Sequence, residues 1–149
     1  IPNRVFKMEN LQVLDASNNQ LNAVSEDIQK LHYLSDLNLS KNAITTLPNC
    51  IINLSFIEYI DISENQLEEF PRELYGLKFL KTVDLSSNKI KEIDRFESRY
   101  LQDLNLSNNQ LKDIPSFRKN VEIYALNLSG NQFTYIIDMK IPRKFVINI

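Results

Sequence analysis

His32 and Cys50 are the side chains whose types could support proton transfer or nucleophilic attack. The chain has one cysteine and one histidine, which excludes an internal disulfide and a thiolate zinc site. The position of His32 is taken by Ser55 and Lys78 in later segments, which indicates a solvated loop. We interpret Cys50 as a small buried side chain and not as a nucleophile.

Phosphate and acid–base chemistry have equally little support. The two glycines, Gly76 and Gly130, are too far apart to write a phosphate-binding loop or a dinucleotide fingerprint. Carboxylates are numerous, but no two of them stand out as buried together. We therefore expect this segment to be no enzyme and to bind no cofactor, metal or small-molecule substrate.

The most regular polar feature is an asparagine that returns at intervals of 23, 23, 23, 21 and 22 residues. It stands in the frame LxxLxLxxNxLxxL, whose five flanking positions are apolar in all six units, although only 43% of the chain is hydrophobic. The six positions are Asn19, Asn42, Asn65, Asn88, Asn109 and Asn131. A fixed period of this length predicts a stack of similar units.

Each half of a unit has its own pattern. The LxLxL alternation predicts a short strand with one buried face. After Pro48, the spacing of Ile51 and Leu54 favours a short helix or 3-10 turn packed on the strands. Ser25, followed by two acidic residues, predicts a capped helical turn.

These motifs resemble the leucine-rich repeat superfamily over the whole chain. The segments LNLSKNAITTLPNCIINL and IDISENQLEEFPRELYGL are similar to the 23-residue variant typical of the mostly cytosolic Ras-suppressor and Scribble-like group. The last units depart from it, since they shorten and lose the second apolar turn. The resemblance implies an α/β solenoid: a curved right-handed superhelix with a parallel sheet on its concave face and short helices or 3-10 turns on its convex face.

We expect one domain over residues 1–149, with about six repeats. Residues 1, 2, 5 and 8 align with residues 47, 48, 51 and 54, so the chain opens in mid-repeat. This predicts a fragment of a longer array, and an irregular terminal cap is the alternative. The sequence has no apolar run long enough to span a membrane.

The asparagines are interpreted as structural. A side-chain amide has two donor hydrogens and an acceptor oxygen, so it can satisfy backbone groups where the chain leaves the strand. We expect all six to form an internal ladder between stacked units.

The candidate binding surface consists of residues that precede each asparagine by six or four positions and project from the strands. The resemblance implies that this concave sheet is the usual binding face. Its candidates are Val13, Asp15, Asp36, Asn38, Tyr59, Asp61, Thr82, Asp84, Asp103 and Asn105. The column four before follows the repeat consensus, whereas the column six before varies, as a recognition column should. Tyr59 is a candidate hot spot, and an ordinary strand residue is the alternative.

Charge suggests the kind of partner. Residues 1–75 contain five Lys/Arg and eleven Asp/Glu, a net of −6, whereas residues 76–149 contain twelve and eight, a net of +4. Many N-half acids lie on or beside the strand face, and the C-half bases mostly lie on return segments, among them Arg95, Arg99, Arg118, Lys119, Lys140, Arg143 and Lys144. We hypothesise a protein partner with a Lys- or Arg-bearing segment, and no nucleic acid.

The leading interpretation is therefore a non-catalytic, cytoplasmic signalling scaffold for protein–protein interaction. The resemblance implies small GTPases, phosphatase complexes or cytoskeletal proteins as partner classes. Glycans at the sequons of Asn38, Asn105 and Asn127 would obstruct the strand face, which favours the cytoplasm. The alternatives are a ligand-binding fragment of a receptor ectodomain and the regulatory repeat region of a larger signalling enzyme.

Overall fold

The computed structural model describes residues 1–93, 95–98, 100–117, 123–134 and 146–149. Several predicted positions lie outside these residues. They are the last apolar position of the sixth unit, Ile136, and the basic residues Arg99, Arg118, Lys119, Lys140, Arg143 and Lys144.

Nine short strands follow one another along the described chain. They are β1 (Val13–Asp15), β2 (Asp36–Asn38), β3 (Tyr59–Asp61), β4 (Thr82–Asp84), β5 (Arg95–Phe96), β6 (Asp103–Asn105), β7 (Ser116–Phe117), β8 (Ala125–Asn127) and β9 (Val146–Asn148). Seven of them form one parallel sheet in the order β1-β2-β3-β4-β6-β8-β9. The register pairs equivalent repeat positions, so that Val13 faces Asp36 and Asp36 faces Tyr59.

The return segments of the early units are 3-10 helices, as the proline and apolar spacing predicts. They span Val5–Lys7, Glu26–Lys30, Asn49–Asn53 and Arg72–Gly76. The Ser25 hydroxyl accepts a hydrogen bond from the Asp27 backbone N–H at 3.2 Å, which caps the second of them.

The next two returns are extended and not helical. β5 and β7 pair in parallel as a second, two-stranded sheet, with Arg95 opposite Ser116. The short 3-10 turns expected on the convex side are confirmed in the first four returns, and these two returns, whose second apolar turn is missing from the sequence, are extended instead. These units have 21 and 22 residues, and a shorter return leaves less chain to wind into a turn.

The apolar frame forms one continuous core between the sheet and the returns. The middle residue of β1, β2, β3, β4, β6 and β8 is buried, as in Leu37, Ile60 and Val83. Phe96, on β5, is fully buried and packs edge-on against Phe70 and Tyr75, with ring centroids 6.1 and 5.3 Å apart. The extended return thus replaces the missing helical turn with one large ring.

The residue directly before each repeated asparagine has a left-handed backbone. This holds for Asn18, Lys41, Glu64, Ser87 and Asn108, with φ between 53 and 56°. Gly130 takes the same position in the sixth unit with φ 69°. The apolar frame of the repeats does not predict this turn. Glycine, the usual sequence signal for positive φ, occupies the position in only one of the six units.

His32 lies on the surface, whereas Cys50 is half-buried. His32 is exposed. Cys50 is only partly buried, which corrects the expectation of a buried residue. It lies in the first turn of the Asn49–Asn53 3-10 helix, where its Sγ contacts the previous return. The thiol donates to the Glu26 carbonyl oxygen at 3.3 Å, and partial burial raises its pKa, which disfavours the reactive thiolate.

Candidate functional site

The asparagine amides connect neighbouring units along the inner edge of the sheet. The Asn65 side-chain nitrogen donates to the Ile62 and Ser63 carbonyls of its own unit and to the Leu39 carbonyl of the unit before, at 2.9 to 3.2 Å. Its oxygen accepts from the Ile44 backbone N–H, also in the previous unit, at 2.9 Å. Asn42, Asn88, Asn109 and Asn131 contact the same kinds of backbone group.

Asn19 differs from the others. It is exposed, and its side-chain amide bonds only the Ala16 and Ser17 carbonyls of its own unit. Its strand, β1, lies at the end of the sheet. In the five later positions every polar atom of the amide is used by the backbone, which leaves none for a ligand.

The other candidate residues lie on what we call the exposed sheet face, the solvent-facing side of β1, β2, β3, β4, β6 and β8. On each strand it consists of the residues six and four before the asparagine, which alternate with a buried one. The ten predicted residues therefore share one surface. Val13 is 60% exposed and Asp103 is exposed, whereas Thr82 is half-buried.

The residues four before the asparagine also close the turn that follows the strand. The side-chain oxygens of Asp15, Asp61 and Asp84 accept from the backbone N–H of the serine two residues later, at 2.8 to 2.9 Å. Asn38 and Asn105 accept the same bond at 3.0 and 3.1 Å. This column therefore has a structural role for either residue type, and the aspartates add negative charge to it.

Negative charge concentrates around Tyr59. Adjacent strands lie about 4.8 Å apart, and Asp36, Asp61 and Asp84 surround the ring in register. Partial burial, followed by these three carboxylates, raises the pKa of the Tyr59 phenol above its ordinary value. The phenol therefore remains a neutral hydrogen-bond donor beside a set of acids.

A shallow depression of about 260 Å³ lies beside this tyrosine, lined by Tyr59, Thr82, Asp84, Asp103 and Asn105. The Asn105 amide donates to the Asp84 carboxylate at 2.9 Å and fixes the floor of the depression. A larger cavity, of about 560 Å³, lies on the convex side next to Phe70, Tyr75 and Glu97. It marks the change from 3-10 returns to extended returns and holds none of the predicted residues.

Two kinds of site are not found in the part of the chain that the structure describes. It contains no group of three or more His, Cys, Asp or Glu side chains placed to hold a metal ion. Nor do the described ranges include a helix of the length and hydropathy needed to cross a membrane.

The sequence interpretation missed one exposed set of residues. Tyr33, Phe56, Phe79 and Tyr100 stand nine positions before consecutive repeated asparagines, and all four are about half exposed. These residues could have been found in the sequence, because they recur with the period of the repeats, one position before the apolar frame of each unit begins.

Comparison with known proteins agrees with this architecture. The leucine-rich repeat family model matches residues 9–67 and 78–133. A leucine-rich repeat protein of Leptospira interrogans has a similar structure, with 29% identity, a TM-score of 0.78 and alignment over 90% of this chain. TLR13, in a complex with ssRNA13, is 27% identical over 83% of this chain, with a TM-score of 0.74. The chain spans 35% and 18% of those two structures. No curated protein matches it significantly.

Proposed function

Because the chain belongs to the leucine-rich repeat family, whose members are generally non-enzymatic interaction modules, we propose that it binds a partner protein through the exposed sheet face. The observation that carries this proposal is the acidic set Asp36, Asp61, Asp84 and Asp103, held in register around Tyr59 on paired strands. The strands fix the spacing of these side chains before a partner arrives, which reduces the entropy lost on binding.

The partner carries a Lys- or Arg-bearing segment. Guanidinium and ammonium groups on such a segment pair with the carboxylates, while its apolar stems pack on the Tyr59 ring. Tyrosine in the middle of a polar surface is a common energetic centre of protein interfaces. Opposite charge also speeds the encounter, so association is slower at high salt.

A protein is a better fit to this face than a nucleic acid, although TLR13 is described in a complex with ssRNA13. Phosphates would meet the four aspartates and be repelled. We also propose that the chain acts as a cytoplasmic scaffold. The similarity to TLR13 favours a receptor-type domain as the second candidate.

The test neutralises the face without disturbing the turns. We expect the fourfold variant D36N/D61N/D84N/D103N to keep its fold, because Asn38 and Asn105 already accept the turn hydrogen bond at the position of Asp61 and Asp84. The matched control, E9Q/E26Q/E92Q/D113N, removes the same charge from exposed positions off the face.

Wild type, variant and control are used as baits in parallel pull-downs read by mass spectrometry. Proteins retained by wild type and control but lost by the face variant support the proposal, and binding of such a partner should weaken about tenfold or more, with a smaller salt dependence. Equal capture by all three baits would place the binding site elsewhere. Binding of single-stranded RNA by wild type would support the receptor-type alternative.

A further inference from the structure

Four exposed aromatic side chains form a continuous row beside the sheet, which we call the aromatic ridge. It consists of Tyr33, Phe56, Phe79 and Tyr100, which are 54, 50, 53 and 47% exposed. The rings of Tyr33 and Phe56 are stacked at 5.7 Å and those of Phe56 and Phe79 at 6.2 Å between centroids. The strand register places Tyr100 next in the row.

The ridge leaves apolar surface exposed in the folded chain. The neighbouring core residues Leu54, Ile57, Leu77 and Leu80 are buried, whereas about half of each ring is exposed. Four half-exposed rings offer on the order of 400 Å² of apolar surface. This is the size of the largest apolar patch on a typical monomeric protein, which is often functional.

The order of residue types along the ridge is symmetric: tyrosine, phenylalanine, phenylalanine, tyrosine. The same repeat position holds Asn10 in the unit before and Glu122 in the unit after, so the aromatic run has a polar residue at each end in the sequence. A surface that binds its own copy through a twofold axis must match itself when reversed. This ridge does so, with Phe56 opposite Phe79 and Tyr33 opposite Tyr100.

The charged rows beside the ridge match in the same reversed arrangement. On the strand side, the residues seven before the asparagine are Ser35, Glu58, Lys81 and Gln102. Glu58 and Lys81 form an ion pair within one chain, with 2.6 Å between Oε2 and Nζ. In the reversed arrangement this pair faces the same pair of a second copy with opposite charges opposed. On the return side, the residues twelve before it are Lys30, Asn53, Gly76 and Glu97, so Lys30 meets Glu97 and the larger Asn53 meets Gly76.

We propose that the aromatic ridge is a homodimer interface, in which a second copy of this chain packs antiparallel about a twofold axis between Phe56 and Phe79. The net charges of the two halves, −6 and +4, then lie opposite one another. A parallel arrangement would place the acidic half against the acidic half and leave Glu58 and Lys81 without opposite charges across the interface. The ridge and its flanking rows together approach the roughly 800 Å² per partner of a standard interface.

The antiparallel dimer leaves the exposed sheet face of each copy free. The ridge lies three residues before the strands, outside the surface that carries Tyr59 and the aspartates. Self-association and partner binding therefore use different residues, and the first is testable without knowing the partner.

The experiment measures the mass of the purified chain by light scattering or sedimentation at about 100 µM, where even weak specific association is populated. Wild type is expected as a dimer, and F56D and F79D as monomers with unchanged circular dichroism. Val13→Asp, at an equally exposed apolar residue on the sheet face, is the matched control and should remain dimeric. A monomeric wild type, or F56D and F79D dimers, would overturn the proposal.

Two further measurements test the geometry. E58K or K81E alone should raise the dissociation constant about tenfold. An equimolar mixture of E58K and K81E chains should restore it, because opposite charges face one another across the interface while the ion pair within each chain stays broken. In a Cys50→Ser background, a mixture of Tyr33→Cys and Tyr100→Cys chains should form a disulfide-linked dimer, whereas Tyr33→Cys chains alone should not. Cross-linking of Tyr33→Cys chains with themselves would show the parallel arrangement and contradict the proposal.

Discussion

The amide of a buried repeat asparagine serves two units at once. Loss of the Asn65 side chain leaves the buried Ile44 N–H without its partner, and the Leu39, Ile62 and Ser63 carbonyls each keep only one of their two hydrogen bonds. Unpaired buried backbone groups are costly because no water replaces the lost bond.

We expect Asn65→Ala to reduce the free energy of unfolding by about 1–3 kcal/mol. Asn19→Ala is the matched control, since the Asn19 side chain is exposed and bonds only its own unit, and its effect should stay below about 1 kcal/mol. Urea titration followed by circular dichroism gives both values. Equal losses for the two variants would mean that the amides do not bind units together.

At the scale of the element, the left-handed residue before each asparagine sets the turn between strand and return. Ser87, with φ 55°, occupies it in the fourth unit. A β-branched side chain is strained there, whereas asparagine tolerates this backbone and already occupies it at Asn18 and Asn108.

Ser87→Val should therefore destabilise the chain by about 1–2 kcal/mol. Ser87→Asn should be neutral or stabilising. Thermal unfolding of the two variants and of wild type compares their stabilities at this one position. A valine variant as stable as the asparagine variant would show that the turn can adopt another backbone conformation.

Much of the element structure could be predicted from the apolar frame. Leu37 alternates with Leu39, and Ile60 with Ile62, and this period of two identified β1, β2, β3, β4, β6 and β8 and their buried faces correctly. The second sheet could not be predicted in this way, because its strands, Arg95–Phe96 and Ser116–Phe117, have two residues each and show no apolar alternation. The left-handed turns could not be predicted either, because the six positions share no residue type.

The candidate site was predictable only as a surface. The repeat spacing predicted that Asp36, Tyr59 and Thr82 lie side by side, and the strand register pairs them in this order. It could not show that the Asp61 and Asp84 carboxylates also hold turns, since that depends on the backbone after the strand. Partner binding by these residues remains a prediction. The aromatic ridge was not predicted, because its positions lie outside the apolar frame of the repeats.

At the scale of the whole molecule, each unit contacts only its neighbours, so stability should vary along the chain. Central strands are covered by units on both sides, whereas β1 is half covered: Leu11 and Ala16 are only partly buried. Local opening is cheapest where fewest neighbours must be separated.

Hydrogen exchange read by mass spectrometry should therefore show strong protection in β3 and β4 and faster exchange in β1. The opening free energy of Ile60 and Val83 amides should approach that of global unfolding. Asn65→Ala should accelerate exchange in β2 and β3 more than in β6, because its bonds join the second and third units. Uniform protection along the sheet would show that the chain unfolds as one cooperative block.

The extended returns β5 and β7 also affect how strongly the array bends. Paired strands need only about 4.8 Å between units, which is the spacing on the opposite sheet as well, whereas stacked 3-10 turns require more room than this. We therefore expect the arc to be tighter through the first four units and flatter across the next two. A ligand that follows the inner surface would then change its curvature near residue 95. A straight rigid segment would fit the later units, and a curved segment would fit the earlier units.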